Sequence, residues 1–450
     1  MKKKAVQILV AAMIGGLFLT GCDAMNMHNQ NTVSSSEISE DKVLVSNNIL
    51  SQNIIINSAG FERNAPKGVV LDSDFAPTEF SIIRVDTEEE VFKNSISIAS
   101  ENAVAKEDEG CYFLDLTDFS DEGEFYIALE NGYNSDVFTV SDNLYKNILT
   151  ERLDYFTNNY SDPKGYTTNT LSKCYMRITD RVLAQEIFGD VLSKEDDKDN
   201  IPLTLIQCRE EIDTLKDCLD KSGNMKSTVS NDLKSQYQYS AVFALFAKEY
   251  WVYDNKYAKE CLDISAKMFN DCEKKYGENK DTKVDDARFW AACQLYNSLG
   301  KKNYRIIAES YNEDIPKGFS EEECGYFGCI AYLRSSYKTN NDISAKMMAL
   351  LMNDAIEKAN STRLSIYKVE HEGEYDTGEV LTAFSNARLM VLANYISKSV
   401  DYIEVCENQL EFLYGRNPGG VDYAYNPQAR YFNEPQTFIL AGLIDSYIYE

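Results

Sequence analysis

The chain has 450 residues and a formal net charge of −27, with 72 acidic side chains against 45 Lys and Arg. So acidic a surface repels nucleic acid and anionic lipid headgroups, and leaves neutral polymers such as glucans as compatible partners. With only two histidines, His28 and His371, neither a His-based zinc centre nor a Ser-His-Asp triad is expected, and the sequence calls for no metal and no cofactor.

Residues 1–22 read as a secretory leader. Lys2, Lys3 and Lys4 precede the apolar run AVQILVAAMIGGLFL, which is shorter than the ~20 residues a membrane span needs. The run ends in Leu19-Thr20-Gly21-Cys22, similar to the lipobox of bacterial lipoproteins. That similarity implies a diacylated Cys22 as the mature N-terminus, and so an exported protein held by lipid in a bacterial cell envelope. Residues 23–42 are polar and rich in Ser and Asn, the composition of a flexible tether. Roughly 410 residues follow, more than one typical core, which predicts two domains. Ten cysteines besides Cys22 are scattered through apolar segments without a regular framework, so they are expected as buried thiols.

From 43 to 141 the pattern is short β-branched or aromatic runs separated by Gly, Asn, Asp and Pro. VLVSN, NIIINSAG, KGVVLDS, EFSIIRVD, CYFLDLTDF, GEFYIALENG and DVFTVSD predict an all-β sandwich of immunoglobulin type. From 143 to 450 the period becomes helical. LYKNILTERLDYFTNN, IPLTLIQCREEIDTLKDCLDK, SQYQYSAVFALFAKEYWVYD, KYAKECLDISAKMFNDCEKKYG, VDDARFWAACQLYNSLG and the stretch 402–415 repeat apolar residues three and four apart. About twelve helices are expected, enough to close an (α/α)6 barrel, although periodicity alone equally allows a solenoid. ARFWAACQLY places Trp290 on a buried helix face.

Several segments, taken together, carry a resemblance. NIIINSAGFERNAPKGVVL, with Asn57, Gly60, Phe61 and Lys67, looks like the opening strand of a cellulase immunoglobulin-like module. Asp118-Phe119-Ser120, Gly123, Tyr126, Ser135 and Phe138 look like its closing strands. DNKYAKECLDISAKMF and DDARFWAACQLYNSLGKKNY are similar to two helix signatures, and LYGRNPGGVDY, with Gly415, Asn417, Pro418, Gly420 and Tyr423, resembles the turn after the penultimate barrel helix. Over residues 53–450 the chain is similar to glycoside hydrolase family 9, the endoglucanase family with an N-terminal immunoglobulin-like domain. The resemblance implies a sandwich followed by an (α/α)6 barrel, and an inverting hydrolysis of β-glucan.

That chemistry needs an acid and a base, with a water between the base and the sugar, which puts the carboxyls ~6.5–9.5 Å apart. Asn433-Glu434 resembles the pair that holds the general acid, so Glu434 is the candidate acid; a bare helix-start glutamate is the alternative reading. The family base lies in a Gly-Trp-x-Asp-Ala-Gly-Asp segment. Here GYTTNTLSKCY, from Gly165 to Tyr175, takes its place, and Thr168 and Leu171 fall where the aspartates belong. Asp162 and Asp180 flank the segment as alternative candidates for the base, and each is expected rather as a loop or helix-surface carboxylate. The family's His-His-Arg sugar-binding segment is reduced to Arg430, and the chain from the Asn-Pro turn to Glu434 is short. Tyr166, Tyr423 and Tyr431 are the candidate stacking residues beside Arg430, with Tyr425 close by in sequence. The expectation is a lipoprotein that binds polysaccharide or oligosaccharide and is catalytically impaired. Two alternatives stay open: an active endoglucanase with a displaced base, and a protein-interaction module on a hydrolase scaffold.

Overall fold

A computed structural model describes residues 52–74, 77–96, 110–159, 174–192, 201–226, 232–279, 282–370, 377–424 and 436–448. Leu50–Glu450 is one compact unit. The leader, Cys22, the tether and the VLVSN run lie outside the described residues.

Among the described residues, eight strands build the sandwich. β1 (Gln52–Ile55), β3 (Gly68–Ser73) and β6 (Cys111–Asp115) form one sheet in the order β1-β3-β6. β2 (Phe61–Glu62), β4 (Glu79–Arg84), β5 (Glu90–Ser95), β7 (Gly123–Leu129) and β8 (Phe138–Ser141) form the second, ordered β2-β8-β7-β4-β5. The reading from sequence lacked β2 and β5. β2 is two residues long, and β5 is an edge strand whose Glu90 and Lys93 face solvent, a charged edge that resists pairing with other chains but hides the strand signal.

The three-stranded sheet is covered on both faces over most of its length. Ile54, Val69, Leu71 and Leu114 enter the sandwich core, while Ile55, Val70 and the partly buried Phe113 enter the core of the helical part. Register explains this. Ile54 pairs with Leu71 and Ile55 with Val70, so each step along the strand switches cores. The near-continuous apolar run GVVL is the sequence trace of a strand covered on both sides.

Twelve α-helices follow among the described residues: α1 (Leu144–Asn159), α2 (Cys174–Leu192), α3 (Leu203–Asp217), α4 (Leu233–Tyr250), α5 (Asn255–Asn279), α6 (Asp285–Leu299), α7 (Lys302–Glu309), α8 (Gly325–Leu333), α9 (Asn341–Thr362), α10 (Thr377–Ile396), α11 (Val400–Leu413) and α12 (Thr437–Ile448). Even-numbered helices line the inside and odd-numbered ones wrap them, which is the (α/α)6 barrel. Inner helices α4 and α6 are buried almost all round, and Trp290 on α6 is fully buried. Outer helix α9 buries only one stripe, Ile343, Met347, Leu351, Ala355, Ala359 and Thr362. Local chemistry sets the ends. Asp232 accepts from the Ser235 N–H to start α4, Asn340 caps α9, and Gly300 at φ +66° closes α6.

Cys208, Cys261, Cys272, Cys293, Cys324, Cys329 and Cys406 are buried thiols. Among the described residues no helix is long and apolar enough to cross a membrane, and no cluster of His, Cys, Asp and Glu is placed to hold a metal ion.

Sandwich and barrel meet through a buried polar network. Arg416 pairs with Glu411 at 2.6 Å, with both side chains 5% exposed or less. Arg416 Nη2 also donates to the Asn408 side-chain oxygen (2.8 Å) and the Tyr367 carbonyl (3.3 Å). A Cβ on Gly68 would fall 2.7 Å from Arg416 Nη1 and collide with the Phe113 ring, so β3 reaches this guanidinium only as glycine. Glu407 accepts from the Tyr145 hydroxyl and from that of Tyr447. Burial pushes Glu411 up to about 7 against the pull of Arg416, and Glu407 up to about 8 despite the two phenols.

Candidate functional site

The stretch that holds Glu434, Arg430 and Tyr431 lies outside the described residues, as do Tyr166, Thr168, Leu171 and Asp162. Both ends of the first stretch are described. It enters from the Asn-Pro turn and leaves into α12.

Asn417 organises that turn. Its side-chain amide donates to the Phe412 and Val421 carbonyls at 2.8 and 2.7 Å, and its Oδ1 accepts from the Val421 N–H at 3.0 Å. Gly415 takes φ +118°, which favours glycine. Tyr423 is half-buried on this turn, and its N–H donates to the Leu413 carbonyl at 2.8 Å. The sandwich holds the same turn from outside. Ser58 Oγ donates to the Tyr414 carbonyl (2.8 Å) or to Asp422 (2.6 Å), and the Ser58 N–H reaches the Tyr414 carbonyl at 2.7 Å. The Tyr414 hydroxyl then donates to Gln436, the residue before α12 begins.

At the start of α12 the structure corrects one expectation. Asp180 is no helix-surface carboxylate; it is 3% exposed on inner helix α2. Its Oδ2 accepts from the Phe438 N–H at 3.2 Å, and its Oδ1 lies 3.8 Å from Arg388 Nε. The pair faces a cavity of about 10 Å³, the size of one water, lined by Met176, Leu183, Phe319, Phe327 and Phe438. Burial raises the Asp180 carboxyl to about 6, while Arg388 and the N–H groups of Phe438 and Thr437 pull the other way. Phe319, 1% exposed, comes from the segment before α8 and packs on Tyr326 and Phe327. Its carbonyl accepts from Arg388 Nη1 at 2.9 Å. The Asp180–Arg388 pair therefore joins α2, α10, α12 and this segment. The sequence hid that role, because α2 is buried all round from Tyr175 to Ala184 and its period marks no solvent face on which to place Asp180.

A sandwich followed by a twelve-helix barrel, with an Asn-Pro turn feeding the last inner helix, is the frame against which known proteins compare. The sequence model for Glycosyl hydrolase family 9 matches residues 157–442, and that for the Cellulase N-terminal ig-like domain matches residues 50–133. The chain belongs to glycosyl hydrolase family 9. Its curated relatives include a cellodextrinase from Butyrivibrio fibrisolvens, 20% identical over 85% of this chain and 86% of that one, and endoglucanase D from Acetivibrio thermocellus, 21% identical over 93% and 75%. A cellulose 1,4-beta-cellobiosidase from Acetivibrio thermocellus is 26% identical over 44% of this chain; the match spans 28% of that longer protein. Among solved structures, a metagenome-derived family 9 endoglucanase superposes with a TM-score of 0.69 at 16% identity, covering 83% of this chain and 85% of the other. A family 9 protein from Bacteroides ovatus gives 0.67 at 16% identity over 82% and 85%. These likenesses establish the fold.

Proposed function

We propose that this family 9 protein is a lipid-anchored envelope protein that binds β-glucan and hydrolyses it weakly or not at all. The observation that carries this reading is the replacement of the family's base aspartates by Thr168 and Leu171. Neither side chain takes a proton from water at neutral pH, so the inverting step lacks its base even with Glu434 as acid. Asp180 is a poor substitute. It caps α12, faces Arg388 and borders a cavity with room for one water, not for a water on a sugar ring. Glycan binding follows from the family scaffold and from tyrosines such as Tyr423. Anchoring follows from Leu19-Thr20-Gly21-Cys22.

The test measures binding and reducing ends together on soluble β-1,4-glucan, with the native protein and with Glu434→Gln. Binding with little release of reducing ends supports the reading. Robust turnover that Glu434→Gln abolishes would overturn it in favour of a working endoglucanase with a base elsewhere, the reading that family membership favours. Absence of binding would leave the barrel as an interaction scaffold. Cys22→Ala, followed by detergent partition, tests the anchor; an unmodified N-terminus downstream of Cys22 would refute it.

A further inference from the structure

Six residues beyond Asp180, about 9 Å along α2, a second group of charged side chains gathers where inner helices end. Glu186 comes from α2, Lys248 and Glu249 from the last turn of α4, and Arg334 directly follows α8. Lys248 Nζ donates to Glu186 at 2.9 Å and to Glu249 at 2.8 Å. Arg334 Nε donates to Glu186 at 2.9 Å, and its Nη2 donates to the Glu186 carbonyl at 3.0 Å. Only Glu186 is deeply buried, at 6% exposure; Lys248, Glu249 and Arg334 keep between a fifth and a third of their side-chain surface open.

Aromatic faces border this group. Arg334 lies against the hydroxyl of Tyr395, which ends α10, packs edge-on against Phe188 and is 43% exposed. Tyr253, one turn past Glu249, is 41% exposed, and Trp251 is 45% exposed. A short turn holds Trp251 and Tyr253 between two helices. The Tyr253 N–H donates to the Tyr250 carbonyl, and Asp254 caps α5 at Tyr257. These bonds fix the backbone of the turn, and the Trp251 and Tyr253 side chains stand exposed on it.

We propose that this end of the barrel is a second glycan-binding site, distinct from the Glu434 end, which takes a neutral β-linked glucan chain. Tyr253, Tyr395 and Trp251 supply stacking faces, and Glu249, Lys248 and Arg334 supply hydrogen bonds to sugar hydroxyls. Two carboxylates against two cations leave no net charge to attract an ion, while the −27 chain repels anionic polymers. Hydroxyl-rich neutral rings match alternating donors and acceptors beside aromatic surface. The two acids also differ in state. Burial alone would raise Glu186, but Lys248 and Arg334 hold it below the usual carboxylate range; burial and the charge of Glu186 raise Glu249. The site thus offers both a firm acceptor and a carboxyl that is easier to protonate. This proposal rests on the glycan-binding reading above.

The two tryptophans provide the test. Trp290 is fully buried, so iodide quenches Trp251 alone. Cellohexaose added to the full-length protein should shield Trp251 from iodide, and calorimetry should show two sites. The double substitution Tyr253→Ala with Tyr395→Ala should weaken the shielding site about tenfold, the loss of two stacking contacts at the low end of their range, and Glu434→Gln should leave the shielding intact. Calorimetric binding without shielding of Trp251, or shielding unchanged in the double variant, would overturn this site while sparing the glycan reading. No heat and no shielding at all would overturn both.

Discussion

Arg416→Met tests the polar seam between sandwich and barrel. The substitution keeps most of the side-chain volume but removes the partner of Glu411 at 2.6 Å, the donors to Asn408 and Tyr367, and the cation above the Phe113 ring at 5.4 Å. At pH 8 Glu411 is ionised in the native protein, since its carboxyl is raised only to about 7. Breaking a buried pair from one side costs about 3–5 kcal/mol. At pH 5.5 Glu411 holds its proton, and the remaining loss is that of hydrogen bonds, about 1–2 kcal/mol. The penalty should therefore be larger at pH 8 by about 2 kcal/mol. Urea unfolding followed through Trp290 emission measures both values, and Glu411→Gln in the Arg416→Met background should recover part of the pH 8 loss. A penalty equal at the two pH values would refute the assignment of a charged, buried pair.

The wild-type protein should be more stable at pH 5 than at pH 8. Burial raises Asp180, Glu411 and Glu407 to about 6, 7 and 8, so the folded state binds more protons than the unfolded one. Their favourable contribution is complete below their ordinary values and is lost as pH rises through the raised ones; a urea midpoint that climbs from pH 5 to pH 8 would contradict this. Gly68→Ala should destabilise by about 1–3 kcal/mol, because the added methyl meets Arg416 and Phe113, and an unchanged midpoint would show that the strand can shift. Cys208, Cys293, Cys324 and Cys406 should resist a thiol reagent until the protein unfolds, since burial raises each thiol; rapid labelling in the native state would count against that.

Much of the fold was legible because its signals are local. The change from short alternating runs to a period of three and four falls near residue 141, where β8 ends at Ser141 and α1 begins at Leu144. Edge strand β5 was illegible because exposure lets charged residues replace the apolar alternation. Of the site, the sequence marked the Asn-Pro turn, and the structure shows Asn417 holding it with three hydrogen bonds. The Asp180–Arg388 pair was illegible for a different reason. It joins residues 208 positions apart in sequence, each on a buried stretch of an inner helix, and neither partner lies in a motif. The Glu186 group is likewise assembled from three helices, and each member reads alone as ordinary surface charge.

The alternation along β3 bears on how this chain can be divided. Val69 and Leu71 belong to one core and Val70 to the other, so the sandwich cannot be removed without stripping apolar cover from the barrel. A cut in the link between β8 and α1 would leave two fragments, each with a wound shaped for the other. Such fragments should stay associated after proteolysis and reassemble from separate polypeptides, in the manner of a split protein. Deletion of the residues up to Ser141 should instead yield a barrel prone to aggregate through the surface that β1, β3 and β6 had sealed.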